Sequence, residues 1–364
     1  MEICSAAEGR DGVPIMQRRT FLSVVTVGAA RFSLPGGALA LSGCAGSAHD
    51  DTLIGFTGKT MGTSFSVRFS RDFQVPEELP SRVQSVLDQV DTRMSTYNPN
   101  SELSRLNQAP GHEWITVSKD TYTVVAAALN CAKAAAGAFD PTVGPLVNLW
   151  GFGPQPSPSA TPKLSDIEQC LDRIGWSKVQ TTPNKTALSK SHSKTTLDLS
   201  GIAKGFAVDE VARMLKSMGL ADFLVEVGGE IRTSGYRPQG GAWRVAIEQP
   251  VAGAHRALRL VDLKGAAIAT SGDYRNFYER DGRRYSHAID PRTGKPIHHA
   301  LASVSVIAPS AMEADSLSTA LMIMGPDDAM AFALEHEVAA HFVVRAKDGF
   351  EERSSSEFDV HRMT

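Results

Sequence analysis

The chain has 364 residues, 42% hydrophobic and 21% charged, with a net charge of −3. That length allows one large domain or two ordinary ones with a sizeable core, and near-neutral charge argues against a nucleic-acid partner, which calls for basic stripes. A mean hydropathy of −0.14 and the absence of long apolar runs past residue 50 exclude a membrane-spanning bundle, and four cysteines are too few for a disulfide scaffold.

The first feature in the chain is an address. Arg18-Arg19-Thr20-Phe21-Leu22 precedes an apolar stretch from Val24 to Leu41. A charged segment followed by an apolar one is the pattern of an export signal, and the twin arginine resembles a Tat signal. The residues before Met16 resemble no signal, which makes Met16 a candidate start. Leu41-Ser42-Gly43-Cys44 looks like a bacterial lipobox, whose cysteine takes the lipid. The alternative is a short buried helix with a chance cysteine. Each buried acyl CH₂ contributes about 0.8 kcal/mol, so several chains on one residue, palmitate among them, anchor stably. The expected division is a signal over 1–43, a tether over 44–54 and one unit over 55–364, with no composition break inside it.

Past the anchor, Thr57 to Phe69 alternates as a strand. Ser81 to Met94 places Val83, Val86, Leu87, Val90 and Met94 at helical spacing. Ser118 to Ala136 reads as a helix with Ser118 as N-cap and Gly137 as stop. Residues 155–162 are a Pro/Ser-rich loop. Ser165-Asp166-Ile167-Glu168 fits a capping box for a helix that Gly175 closes. Lys185 to Lys194 is polar, a loop or hairpin tip. Gly201 to Met218 is helical and stops at Gly219. Strand-like runs follow at 223–227, 243–248, 258–263, 266–270 and 303–308, then helices at 311–324 and 327–335 and a strand at 338–345. Strands cluster rather than alternate with helices, so an α+β fold with largely antiparallel sheets is expected, two-lobed with the site in a cleft. Cys131 and Cys170 fall in helix-like segments and read as buried free thiols.

Several constellations could carry chemistry. Asp198-Leu-Ser-Gly-Ile-Ala-Lys-Gly205 leads straight into a helix, whose N-terminal N–H groups attract phosphate, and Lys204 can add a point charge. It lacks the spacing of a P-loop or a dinucleotide fingerprint, and taken alone it reads equally well as ordinary packing. Gly228-Gly229 at a strand end permits close backbone approach or marks a tight turn. His287 precedes the turn Asp290-Pro-Arg-Thr-Gly294, and a lone histidine is more often structural than catalytic. His298-His299 lacks the spacing of a zinc helix and reads as surface or turn. Asp315 and Thr319, at i and i+4, put a carboxylate and a hydroxyl on one helix face, suited to a hard cation. Alone, a threonine bonded back to its own helix is the simpler account.

Taken in order, these motifs resemble the ApbE family, the FAD:protein FMN transferases. The resemblance covers about 55–345 and rests on Met61-Gly62-Thr63; Met94-Ser95-Thr96-Tyr97 with Ser101-Glu102-Leu103; Phe139-Asp140-Pro141-Thr142; Trp150-Gly151-Phe152; Asp198 to Gly205; Gly228-Gly229; Ser286 to Pro291; and Ala314-Asp315 with Ser318-Thr319-Ala320. It implies an enzyme that splits FAD at its pyrophosphate, passes FMN to a threonine or serine hydroxyl of a target protein and releases AMP. It also implies Mg²⁺, or Mn²⁺, held by Gly201, Asp315 and Thr319. FAD contacts would come from Met61, Tyr97, Ala138, Phe139, Asp140, Asp198, Lys204 and His287. His287 would be the base for the acceptor hydroxyl, titrating near neutral pH; Asp315 could assist, although a metal-bound carboxylate is a poorer base. The implied partners are flavin-carrying subunits of electron-transfer complexes, and the implied location is the periplasmic face of a bacterial inner membrane, through the lipid on Cys44. The rival readings are an Mg²⁺-dependent FAD pyrophosphatase and a flavin-binding lipoprotein without chemistry.

Overall fold

Alternation along the strands decides how the layers form. The computed structural model describes residues 53–362 apart from 156, 157, 159, 254 and 255. Eight strands build the central sheet, in the spatial order Leu53–Thr60, Thr63–Ser70, Phe223–Val227, Glu230–Ser234, Ala267–Gly272, Leu301–Ala308, Ala339–Ala346 and Gly349–Ser354, with every pairing antiparallel. Successive strand residues point to opposite faces. Val225, Val227, Ala267, Ala269, Val304 and Val306 therefore enter one core, while Leu224, Ile268 and Ile307 enter another.

The first core lies under the helices Leu79–Met94, Lys119–Ala134, Ala203–Ser217 and Ala311–Met324. The second lies under the hairpin Trp243–Glu248 with Ala257–Leu263, together with Phe358. Cover on both faces is why all eight residues of Leu301–Ala308 are buried. The fold is α+β, as expected, and the expected inward residues Val83, Leu87, Val90 and Met94 face the core. Ser118 caps its helix, accepting from the Thr121 N–H at 3.3 Å.

Residues 1–52, with Cys44, lie outside the described part. Leu53 and Ile54 of the expected tether belong to the first strand. No described helix is long and apolar enough to cross a membrane. Cys131 and Cys170 are free, and burial pushes the Cys131 thiol up to about 12.

Three local expectations are corrected. Thr57 to Phe69 is not one strand but a hairpin, turning at Met61 and Gly62 with φ of 47° and 73° between the paired Thr60 and Thr63. Two consecutive positive φ values match the twist of the flanking strands, and a residue other than glycine takes the first position. The capping box at Ser165 does not form: the chain is still extended at Lys163 and turns helical at Leu164, so Ser165 already lies inside Leu164–Leu171. The polar stretch 185–194 holds Ala187–Lys190, the central strand of a three-stranded sheet between Ile115–Thr116 and Val179–Thr182. Lys190 is 2% exposed there, its ammonium donating to the carbonyls of Asn107 at 2.7 Å and Ser193 at 3.3 Å.

Candidate active site

Part of the set singled out from sequence lies at one end of the central sheet, where the turns at 61–62 and 228–229 sit beside the last residues of Ala267–Gly272. Gly228 has φ 63° and donates its N–H to the Ser64 carbonyl at 3.0 Å. A Cβ there would meet Thr63 Cγ2 at 2.9 Å and Lys204 Cδ at 3.4 Å, so the glycine lets this turn lie against the lysine stem.

The 203–217 and 311–324 helices hold each other's first turns. Asp315 Oδ2 accepts from the Gly205 N–H at 3.0 Å. In return the Asp209 carboxylate accepts from the N–H groups of Ala311 and Met312, each at 3.0 Å. Both carboxylates satisfy N–H groups that a helix start leaves without partners, and both sit at the positive end of a helix dipole. Gly205 is where the two helices touch: a Cβ would fall 2.2 Å from the Ala311 carbonyl oxygen.

This contact delivers Lys204 to two buried acids. Its ammonium donates to Glu230 Oε1 at 2.8 Å and lies 3.6 Å from Asp315 Oδ1. Burial alone would favour the neutral amine, but the two carboxylates outweigh it and raise the Lys204 pKa. Burial, with Asp315 close by, pushes Glu230 up to about 7 against the pull of Lys204. Burial likewise raises Asp315, opposed by Lys204 and the Gly205 N–H. Glu230 Oε2 is buried without a hydrogen-bond partner.

Thr319 lies one turn beyond Asp315. A Cβ on Gly201 would sit 3.1 Å from Thr319 Oγ1 and 3.2 Å from Phe139 Cε2, so Gly201, Phe139 and Thr319 are in close contact. Ser271 Oγ is 2.9 Å from Ser318 Oγ and 3.4 Å from Thr319 Oγ1. The described residues contain no cluster of three or more His, Cys, Asp or Glu placed to hold a metal ion. The set named from sequence is of another kind, one carboxylate with a hydroxyl and a backbone carbonyl. Its donors are all oxygen, and beside it two acids, Asp315 and Glu230, face one ammonium, with Glu230 Oε2 buried and unpartnered. These residues therefore fit a hard divalent cation.

His287 stands at the base of the hairpin Phe277–Arg280 with Arg283–Ser286. Its Nδ1 is 3.0 Å from the Asn276 carbonyl, which also accepts the His287 backbone N–H at 3.1 Å. A carbonyl can only accept, so Nδ1 carries the proton and Nε2 keeps a lone pair. Burial lowers the His287 pKa and Lys204 adds to the effect, against the Asn276 bond and Asp273. The ring is thus held with Nε2 open as an acceptor, and the Lys204 charge disfavours its protonation.

The remaining expected residues divide. Asp198 borders a cavity of about 260 Å³ with Thr96, Asn107, Asn148 and Thr196, and Tyr97, next along the chain, is 53% exposed. Met61 is half-buried in its turn, and Ala138 is buried beside Phe139. The Asp140 carboxylate points into the protein. It accepts from the Thr142 N–H at 2.8 Å, the Thr142 hydroxyl at 2.6 Å and the Trp176 N–H at 3.0 Å, so its oxygens hold the turn.

Comparison with known proteins bears directly on this arrangement. The family model described as ApbE family matches residues 61–342. The chain is 42% identical over 322 residues to an FAD:protein FMN transferase of Vibrio cholerae, covering 88% of this chain and 95% of that one. It is 40% identical over 328 residues to the one of Haemophilus influenzae, covering 88% and 94%. The chain belongs to the ApbE family. The solved flavin transferase ApbE from Vibrio cholerae superposes with a TM-score of 0.78 at 40% identity, over 85% of this chain and 99% of that one. The ApbE match spans every site residue expected above except Cys44. Sequence reasoning missed Glu230, which completes the ion cluster; its only signal was an acid placed directly after Gly228-Gly229 on a strand edge.

Proposed function

We propose that this ApbE chain is an FAD:protein FMN transferase that moves FMN from FAD to a threonine or serine hydroxyl of an acceptor protein. The observation that carries this is Lys204 held between the buried acids Glu230 and Asp315, with a tautomer-fixed His287 on which the Lys204 charge bears. The acceptor hydroxyl oxygen bonds to the FMN-side phosphorus of FAD. The phosphorus–oxygen bond to the AMP half breaks, and AMP leaves with the bridging oxygen. His287 Nε2 takes the hydroxyl proton, a role open to it because Nδ1 holds the ring's own proton against Asn276. Lys204 faces the pyrophosphate as a fixed positive charge, and most of the catalysis is positioning and charge neutralisation. Asp315, Thr319 Oγ1 and the Gly201 carbonyl would hold Mg²⁺ or Mn²⁺, which when bound supplies further neutralisation of the pyrophosphate. Asp198, Tyr97, Met61 and the Ala138–Phe139 segment would enclose the nucleotide.

Incubating the purified chain with FAD, Mg²⁺ and a flavin-carrying subunit of an electron-transfer complex should add the mass of FMN to that subunit, with AMP in equal amount. AMP and free FMN without an adduct would establish a pyrophosphatase, and unchanged FAD would defeat both readings.

The chain is also proposed to be a lipoprotein of the periplasmic face, anchored at Cys44. Support comes from the lipobox-like 41–44 and from the first strand, which begins nine residues on at Leu53. At about 3.5 Å per residue, such a tether keeps the fold within roughly 30 Å of the bilayer. Cys44→Ser should release the protein from the membrane fraction; retention there would refute the anchor.

A further inference from the structure

Trp150-Gly151-Phe152 takes no part in the transfer as derived, yet its two rings belong to a continuous stack that ends on His287. Trp150 stacks on Tyr285 at 5.6 Å between centroids, Tyr285 on Tyr278 at 5.2 Å, and Tyr278 on Phe152 at 5.3 Å, with interplanar angles of 28°, 23° and 26°. Phe152 then meets the His287 imidazole in a T-shaped contact at 6.3 Å and 68°. The far end is pinned in a core. Trp150 is 4% exposed among Leu146, Ile167 and Ile289, and its Nε1 donates to the Gly294 carbonyl at 2.8 Å.

Two separate chain segments interleave here. Trp150 and Phe152 follow the helix Gly144–Leu149, whereas Tyr278 and Tyr285 are directly opposite one another on the 277–286 hairpin. Asn276 and His287 close the base of that hairpin. The Nδ1 bond to Asn276 fixes one atom of the imidazole but leaves the ring free to rock about that bond, swinging Nε2 through an arc. A ring held against the imidazole removes that freedom, and Phe152 is held by the stack behind it. Small misplacement of a reacting group is costly: about 1 Å can lower a rate roughly 10²-fold.

We propose that Phe152 is a positioning residue for the transfer, fixing the plane of His287 so that Nε2 faces the acceptor hydroxyl. This rests on the transferase reading above for the role of His287. Phe152→Leu keeps an apolar side chain and removes the ring, and it should lower kcat for FMN transfer by about 10- to 100-fold with KM for FAD within about twofold. Phe152→Tyr restores the ring and should recover kcat to within about threefold of the parent. Tyr278→Leu, which breaks the stack one ring further back, should act in the same direction by a smaller factor.

The second readout is the His287 imidazole by NMR, assigned by its loss in His287→Gln and followed through a pH titration. Asp273 and Lys204 are the charged groups bearing on this ring, together with the Asn276 carbonyl, and none is altered by Phe152→Leu. Loss of the ring should move the imidazole resonances and raise the titration midpoint as water reaches Nε2, with Phe152→Tyr restoring both. Parent-like kcat in Phe152→Leu would overturn the proposal, and so would a loss of kcat with unchanged His287 resonances. If the parent chain transfers no FMN, the transferase reading fails, while the resonances still decide whether Phe152 holds the ring. Should Phe152→Leu fail to fold, Tyr278→Leu takes its place: parent-like kcat, or a loss of kcat with unchanged His287 resonances, would overturn the proposal there too.

Discussion

Gly205→Ala should force apart the two helices that carry the site. A Cβ at this position would lie 2.2 Å from the Ala311 carbonyl oxygen, 2.5 Å from its carbon and 2.7 Å from the Met312 nitrogen. All three are backbone atoms, so no rotamer change relieves them. The helices must move from that 2.2 Å toward the 3.4 Å of ordinary contact. Overpacking of this kind costs about 1–3 kcal/mol. Stretching the charge-assisted bond from the Gly205 N–H to Asp315 adds about 1–3 kcal/mol. The expected loss is therefore about 2–6 kcal/mol, a Tm lower by roughly 3–9 °C for a domain of this size. Asp315 and Thr319 ride on one helix and Lys204 on the other, so FMN transfer should fall as well. Calorimetry with a transfer assay below the lowered Tm gives both numbers. A variant melting within about 2 °C of the parent and transferring FMN normally would refute the reasoning.

His287→Gln removes the base while keeping a polar side chain, and should slow transfer by about 10²–10⁴-fold with FAD binding retained; an unchanged single-turnover rate would remove His287 from its role. Asp315→Asn should shift the Mg²⁺ dependence of transfer to higher concentration, and a Mg²⁺ titration coincident with the parent's would count against the oxygen set. Asp140→Ala strands the Thr142 and Trp176 donors and should cost about 2–4 kcal/mol of stability with little change in FAD affinity; a large affinity loss at parental Tm would show instead that its carboxylate meets the nucleotide. His341 predicts an acid limb in stability. Its ring is fully buried against Phe358 beside Glu352, Arg259 and Arg362, and burial pushes its pKa down to about 4. The unfolded chain takes up this proton near pH 6.5 and the folded one does not, so stability is level above that pH and falls below it. Between pH 6.5 and 5 the fall should be about 2 kcal/mol, and His341→Gln should flatten it; an equal slope in both proteins by denaturant titration would refute the assignment.

The sequence made the helices readable because each carries its core contacts within itself. Val83, Leu87, Val90 and Met94 lie on one stripe, and Ser118 sits where a cap must. Asp315 and Thr319 could be set on one helix face for a related reason, since their i, i+4 spacing lies within a single helix. The turn at Met61 was not, because a methionine at φ 47° carries no turn signal and the alternation runs through it unbroken. The Ala187–Lys190 strand was hidden by its own polarity: Lys190 is buried only because the Asn107 and Ser193 carbonyls receive its ammonium, and those partners are set by the fold.

Glu230 and the aromatic stack escaped for the same physical reason, and the reason separates two parts of the site. Glu230 meets Lys204 across 26 positions of sequence, and Trp150 meets Tyr285 across a longer span still. Neither pair has a spacing that a helix or strand would impose. Groups that bind or react can be picked out by type, whereas groups that hold them in place are ordinary residues made important by what they touch. A glutamate after two glycines is a surface residue until the hairpin turns it under Lys204. A phenylalanine after a glycine is core until its ring closes on His287. The 203–217 and 311–324 helices show both at once. Asp315 was picked out by its chemistry, but the Gly205 contact that places it can be read only from the distance between two backbones.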